Sequence, residues 1–376
     1  MKFIVSRDIL YRNLSAISGV MSSNNSMPIL DNVLVTIQGD KLQLTASDLE
    51  STMTAEIALD NVEGEGCVAI PAKLLIETLK LIPETPIVFV IDETTGVLKF
   101  TAANGVYDAP CHDGNEFPKI VEIQNPSSFD IDASILQRAI SKTMFAASMD
   151  ELRPAMMGVL CELSSECVTF VATDAHKLVR YRNSKVKTDE FASFILSKKP
   201  IDHLKKILLG MNESVHVEYS QETHHIRFSF GNMVLYSSLK EGKFPNYEAV
   251  IPQNNPNTFV VSKDEFLKSI KRVGIYSNQS TFQVRVALSQ EKSNITAEDM
   301  DYSNKASEDV TGIFTGEPMN IGFNAKFLRE MLETMDAEQI RLELSEPNRA
   351  ALIIPEEQYD ENEDLLMLIM PVMLNS

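Results

Sequence analysis

Tryptophan is absent from the 376 residues, and aromatic side chains amount to only 7%. Basic helices without interleaved Tyr or Phe offer no platform on which single-stranded bases could stack. Cysteine is scarce. Cys67, Cys111, Cys161 and Cys167 show no CxxC spacing, which argues against a zinc ribbon and for reduced, mostly buried thiols. Histidine numbers six, and the adjacent pair His224-His225 would point to opposite faces of a strand, a poor chelate. No P-loop, GxGxxG or GxSxG is present, so neither metal nor cofactor is predicted. No window approaches the roughly 18 apolar residues of a membrane-spanning helix. The opening "MKFIVSRDIL" is broken by Arg7 and Asp8 and does not read as a signal peptide, so a soluble, cytoplasmic protein is expected. Positive charge is also short, with 34 Lys and Arg against 53 Asp and Glu, net −19. Spread evenly, that charge would repel nucleic acid.

What is present is ordinary globular material, 44% hydrophobic and 23% charged, arranged as a threefold repeat. "FIVSRDILYRNL" from Phe3 returns as "FDIDASILQRAI" from Phe129 and "FVVSKDEFLKSI" from Phe259. "IPAKLL" from Ile70 returns as "LSKKPI" from Leu196 and "FNAKFL" from Phe323. "TASD", "ATD" and "AED" end at Asp48, Asp174 and Asp299. All three markers share one period, and three periods fill the chain. Asn- and Pro-bearing linkers, "IQNPSS" and "PQNNPN", fall at the period boundaries. The domains are therefore predicted at 1–122, 128–250 and 257–376. Alternating stretches such as "DKLQLTAS" and "HIRFSF" read as strands. Each repeat holds two similar halves, each an antiparallel sheet with one helix packed on one side, giving an α+β fold.

The helices carry the missing positive charge. Leu10, Leu14 and Ile17 form one apolar stripe, matched by Leu136, Ile140 and Thr143 and by Phe266, Ile270 and Val273. Arg12, Arg138 and Lys268 stand about 200° round the helix from the leading apolar position, and Lys142 and Arg272 join that outer face. In the second helices Lys73, Lys199 and Lys326 are equivalent, with Lys80, Lys198 and Lys206 adding to them. The six helical segments sum to +9, leaving −28 for the remainder. Lys and Arg on helix faces neutralise phosphates without reading bases. The predicted nucleic-acid contact is therefore duplex, sequence-neutral and salt-sensitive.

Two other classes compete. "TDAHK" places Asp174 two residues from His176, which on a strand would share a face and form a dyad with Thr173 or a distant Ser as nucleophile. No accompanying catalytic motif supports this. A repeat-built scaffold binding only proteins accounts for the acidic body but not for basic residues recurring opposite the core.

With "MKF", "MPIL" (Met27–Leu30), "LTASDLE", "TDAHKL", "GKFPNY", "IGFNAKFL" and "IMPVML" in this order and spacing, the whole chain resembles the bacterial DNA polymerase III beta subunits, the sliding clamps. The resemblance implies a non-catalytic processivity factor: a head-to-tail dimeric ring with helices inside and sheets outside, encircling DNA. Tyr107 and Ala109 on one side, and Ile275 and Tyr276 on the other, match the dimer contact. It also implies an apolar cleft where the replicative polymerase, the clamp loader and repair proteins dock short hydrophobic peptides. The matching positions are Met156, Thr173, Ala175, His176, Lys177, Leu178, Pro245 and Val250. From the third repeat come Asn324, Phe327, Ala350, Leu368, Met370, Pro371, Val372 and Met373. Arg153 matches a position close to DNA. The chain departs from the family pattern at Ala175 (usually Gly), Lys177 (Arg), Met373 (Arg) and Asn24 (Arg), and Asn375-Ser376 extend the tail.

Overall fold

The computed structural model describes residues 1–22 and 27–374; Asn24 and the Asn375-Ser376 extension lie outside them. By compactness the chain divides into Met1–Gln137 with Lys199–Leu239, and Arg138–Lys198 with Lys240–Ser376. Each unit takes one outer repeat and part of the middle one.

Six α-helices occur among the described residues: α1 (Arg7–Ile17), α2 (Ala72–Leu81), α3 (Ala133–Thr143), α4 (Lys198–Ile207), α5 (Lys263–Gly274) and α6 (Ala325–Thr334). Their apolar stripes are the ones the spacing predicts. Leu10, Leu14, Ile17, Leu136, Ile140, Thr143, Phe266, Ile270 and Val273 are all buried. Ser262 caps α5 by accepting the Glu265 N–H, and Asn324 caps α6 by accepting those of Lys326 and Phe327.

In the first unit the strands alternate buried and exposed residues, because one face carries a helix. Gly66–Pro71, Asn32–Gln38, Lys41–Ser47 and Ser51–Ala58 form the inner half of repeat one. Ser51–Ala58 then pairs antiparallel with Met233–Lys240, followed by His225–Phe230, Ser214–Ser220 and Ser127–Asp132. A separate sheet runs Asn61–Glu63, Lys2–Ser6, Pro86–Asp92, Val97–Ala102 and Gly105–Pro110, where it ends. The second unit repeats the plan. Ala192–Ser197, Gly158–Leu163, Val168–Thr173 and Lys177–Asn183 lead to Glu363–Ile369, paired with Lys177–Asn183 from Lys177↔Ile369 to Asn183↔Glu363. Ala351–Pro355, Gln339–Leu344 and Asn257–Ser262 follow. A four-stranded sheet runs Asn304–Val310, Ser293–Asp299, Gln283–Leu288 and Met319–Asn324. So the last inner strands of repeats one and two, Ser51–Ala58 and Lys177–Asn183, each have a partner. The equivalent Asn304–Val310 has only one neighbour, as does Gly105–Pro110 at the end of the other sheet, among the described residues.

Within the first unit, the His203 ring of α4 donates through Nε2 to the Ala16 carbonyl of α1 at 2.6 Å, and it fills the space a side chain at Gly19 would need. Burial lowers the His203 pKa below its ordinary 6.5, with the Ala16 carbonyl opposing. The unfolded chain therefore takes up a proton before the folded one does. Stability is full above pH 6.5 and falls as pH drops from there toward the lowered folded value. Thermal melts between about pH 7.5 and 5.5 should show this loss, and His203→Gln should show less of it.

Candidate functional site

The stretch Thr173–Lys177 is a tight turn between two paired strands. Ala175 takes φ +76°, the left-handed region that a Gly reaches without strain. The Asp174 carboxylate accepts the N–H groups of His176 and Lys177, both at 2.9 Å. Thr173 Oγ1 donates to the Lys177 carbonyl at 2.8 Å and accepts the Ala175 N–H at 3.1 Å. Asp174 and His176 therefore do not share a strand face, which corrects the geometry assumed for a dyad. Asp174 closes an Asx turn, and the His176 ring stacks on Phe327, with centroids 6.0 Å apart and planes at 25°. The other repeats use the same device. Asp48 accepts from Glu50 and Ser51 with Leu49 at φ +77°, and Asp299 accepts from Asp301.

Below the turn lies an apolar cluster built from Leu160, Val171, Leu178, Phe244, Tyr247, Leu352, Leu366 and Leu368, with Ala155, Ala350 and Ile354 half-buried against it. Met156 and Thr173 are buried as well. Around this floor stand exposed apolar groups: Pro245, Val250 at 54%, Met370 at 39% and Met373 at 71%. Two backbone bonds hold the C-terminal segment in place. The Met370 N–H donates to the His176 carbonyl, and the Val372 N–H to the Gly322 carbonyl, both at 2.8 Å. Gly322 is required there, since a Cβ would stand 2.4 Å from the Val372 carbonyl oxygen. Pro371 and Val372 are half-buried in that run, and Asn324 donates to the Thr281 carbonyl at 3.2 Å. The sixteen positions assigned to the cleft all fall in the second unit. Tyr247 OH, whose pKa is raised by burial and then by its bond to Glu162, donates to that carboxylate at 2.6 Å. Phe244, Tyr247 and Ile251 are part of the floor that sequence reasoning passed over. The signal for Phe244 and Tyr247 was the "GKFPNY" motif, of which only Pro245 was assigned; Ile251 lies outside it.

Lys177 needs correcting as a groove residue. It is 5% exposed. Its ammonium meets Glu330 at 2.6 Å and Asp174 at 3.4 Å, and lies 4.5 Å from the Phe327 ring centre. Its ion pairs tie the turn to α6.

The basic helix faces are only partly as expected. Arg12, Lys73, Lys80 and Lys268 are exposed and make no ion pair among the described residues. Lys206 is exposed beside Asp202 at 2.7 Å, Lys199 pairs with Asp48, and Arg272 is bidentate to Glu308 at 2.8 and 2.7 Å. Arg153 pairs with Asp150 at 2.8 Å, and Lys198 Nζ lies 3.4 Å from Met149 Sδ.

Two residues of α3 turn inward instead. Lys142 is 5% exposed, bonded to Asp336 at 2.7 Å and to the Thr334 carbonyl. Burial lowers its pKa, with Asp336 opposing. Arg138 grips the buried Glu363 bidentately at 2.6 and 2.7 Å, meets Asp336, and lies 3.9 Å from the Tyr359 ring centre. Burial alone would lower its pKa, but the bonds to Glu363 and Asp336 raise it. Helical periodicity places these two opposite their own helix's stripe; it does not show that another element covers that side.

At the other proposed contact, rings stack across the first unit's separate sheet: Phe3 on Phe89 at 4.9 Å, Phe89 on Phe100 at 5.3 Å, Phe100 on Tyr107 at 4.9 Å. Tyr107, on the terminal strand, is 37% exposed, while Ala109 is buried. Beside it opens a groove of about 710 Å³ lined by Leu74, Leu81, Ile82, Ala102 and Tyr107. In the second unit Ile275 and Tyr276, directly after α5, are 71% and 44% exposed.

Comparison with known proteins follows the same lines. The DNA polymerase III beta subunit matches in three consecutive pieces: its N-terminal domain over residues 1–121, its central domain over 130–246 and its C-terminal domain over 248–373. Among curated proteins, beta sliding clamps of Pseudomonas putida and Pseudomonas aeruginosa are 29% and 28% identical over 376 residues, covering all of both chains. The P. aeruginosa sliding clamp solved with griselimycin superposes with TM-score 0.93 at 28% identity over both full chains. The Bacillus subtilis clamp, at 23% identity and TM-score 0.92, shows the same fold.

Proposed function

Because the chain belongs to the DNA polymerase III beta subunit family, we infer that it works as a sliding clamp, holding duplex DNA without regard to sequence and tethering the replicative polymerase to it. Two copies joined head to tail close the ring. The observation that carries this is a pair of open strand edges whose equivalents in the other repeats are paired on both sides. Repeats one and two each pass their last inner strand to a partner, while Asn304–Val310 and Gly105–Pro110 each keep a single neighbour among the described residues. Unpaired edges of this kind are templates for another chain. One of each per copy gives a heterologous contact that closes after two subunits.

The exposed cations Arg12, Lys73, Lys80, Lys206 and Lys268 supply phosphate contacts that slide because they read no base. The groove under Thr173–Lys177 takes a short hydrophobic peptide from the polymerase, the clamp loader or repair proteins. Its apolar floor and Met rim suit side chains of varied shape. Asp174, spent on backbone N–H groups, is given no catalytic role.

Loaded by a clamp loader onto nicked circular duplex, the protein should co-elute with the circle and be lost once the circle is linearised. Equal retention on both forms would overturn the clamp reading, and retention on neither would support the protein-only scaffold instead.

A further inference from the structure

Lys326 repeats the position of Lys73 and Lys199, yet its surroundings are its own. Lys199 pairs with Asp48, the aspartate that closes the first repeat's turn. The corresponding Asp174 is already occupied by two backbone N–H groups and by Lys177. Lys326 is thereby left exposed and without an ion pair among the described residues. Its ammonium rests 3.4 Å from the centre of the Phe282 ring. Phe282 holds φ +49°, uncommon for a bulky residue. It is fixed on both sides, its N–H donating to Asn278 and its carbonyl accepting from Ala325, both at 2.8 Å. Sequence reasoning grouped Lys326 with the DNA-facing cations, but its neighbours are cleft residues. Asn324 caps its helix, and Phe327, the next residue, stacks on His176. The carboxylates of its own helix are engaged: Glu330 with Lys177 and Glu333 with Lys271.

We propose that Lys326, braced on Phe282, is a recognition cation at the rim of the peptide cleft, and that the preferred partner peptide carries a carboxylate beside its apolar anchors. This rests on the cleft reading above and adds a charge preference to it. A cation held over an aromatic face keeps its charge while losing side-chain freedom in advance. At this exposed position the gain is that of a surface pair, about threefold in affinity.

The test uses fluorescent peptides with identical apolar anchors and either Asp or Asn at each flanking position, titrated into the intact protein. One Asp position should tighten binding about threefold at low salt and lose the advantage at high salt. Lys326→Met should abolish that advantage while leaving the Asn peptide's affinity unchanged, and Phe282→Leu should reduce it. The proposal is overturned if no Asp position is preferred, or if the preference survives in Lys326→Met. It is equally overturned if that variant loses DNA retention with peptide binding intact, which would return Lys326 to the DNA face. Failure of every peptide to bind the unaltered protein would instead remove the cleft itself.

Discussion

Arg138→Met is expected to destabilise the second compact unit by about 3–5 kcal/mol, the cost of removing one partner from a buried ion pair. The side chain of Glu363 is only 2% exposed, and Arg138, at 18%, supplies two of its hydrogen bonds. Without them Glu363 keeps Tyr181 OH, at 3.2 Å, as its side-chain donor among the described residues. A buried carboxylate served by one neutral hydroxyl has lost most of what replaced its hydration. Tyr359 also loses the guanidinium it packs against. The double variant Arg138→Met/Glu363→Met should recover most of the loss, because the expense lies in the orphaned charge and not in the missing attraction. Urea unfolding followed by circular dichroism measures the first effect, and hydrogen exchange along Glu363–Ile369 localises it. A change below about 1 kcal/mol in the single variant would place the pair among ordinary surface bridges.

That pair also marks a boundary of what the sequence could disclose. The repeat, the six helices and their apolar stripes follow from local periodicity, which depends on a residue's own helix or strand and is written into it. The aspartate of each turn could be aligned across repeats for the same reason. Which outward side of a helix is then covered depends on distant elements. Helix α3 and Asp336 are nearly two hundred residues apart in the chain, and nothing in the pattern around Lys142 records that meeting. Lys177 departs from its expected place for a related cause. It is buried against Glu330 and Asp174, a pairing visible only in space. Of the cleft, the resemblance supplied the rim, the tail and floor residues such as Leu178 and Leu368, while floor residues such as Leu160 and Leu352 carry no motif beyond being apolar.

Ile275→Asp combined with Tyr276→Asp should leave each chain folded and abolish the ring. Both side chains already stand in solvent within the single chain, so charges there add little to the cost of folding. In the ring proposed above they would be buried against the strand and groove that Tyr107 borders. The stacked row Phe3, Phe89, Phe100, Tyr107 runs from buried rings to a half-exposed one, leaving the outer face of Tyr107 available at the sheet's open edge. The neighbouring groove of about 710 Å³ is apolar where Leu74, Leu81 and Ile82 line it. Burying an apolar side chain contributes about 2 kcal/mol, and a ring of two copies contains each contact twice. Four such groups then amount to about 8 kcal/mol, roughly a millionfold in the dimer dissociation constant, before any penalty for desolvating the new carboxylates. Sedimentation velocity should find monomers at concentrations where the unaltered protein is dimeric, and retention on circular DNA should fall to that on linear DNA. A doubly substituted protein that still sediments as a dimer would mean the edges Gly105–Pro110 and Asn304–Val310 meet through other side chains, or not at all.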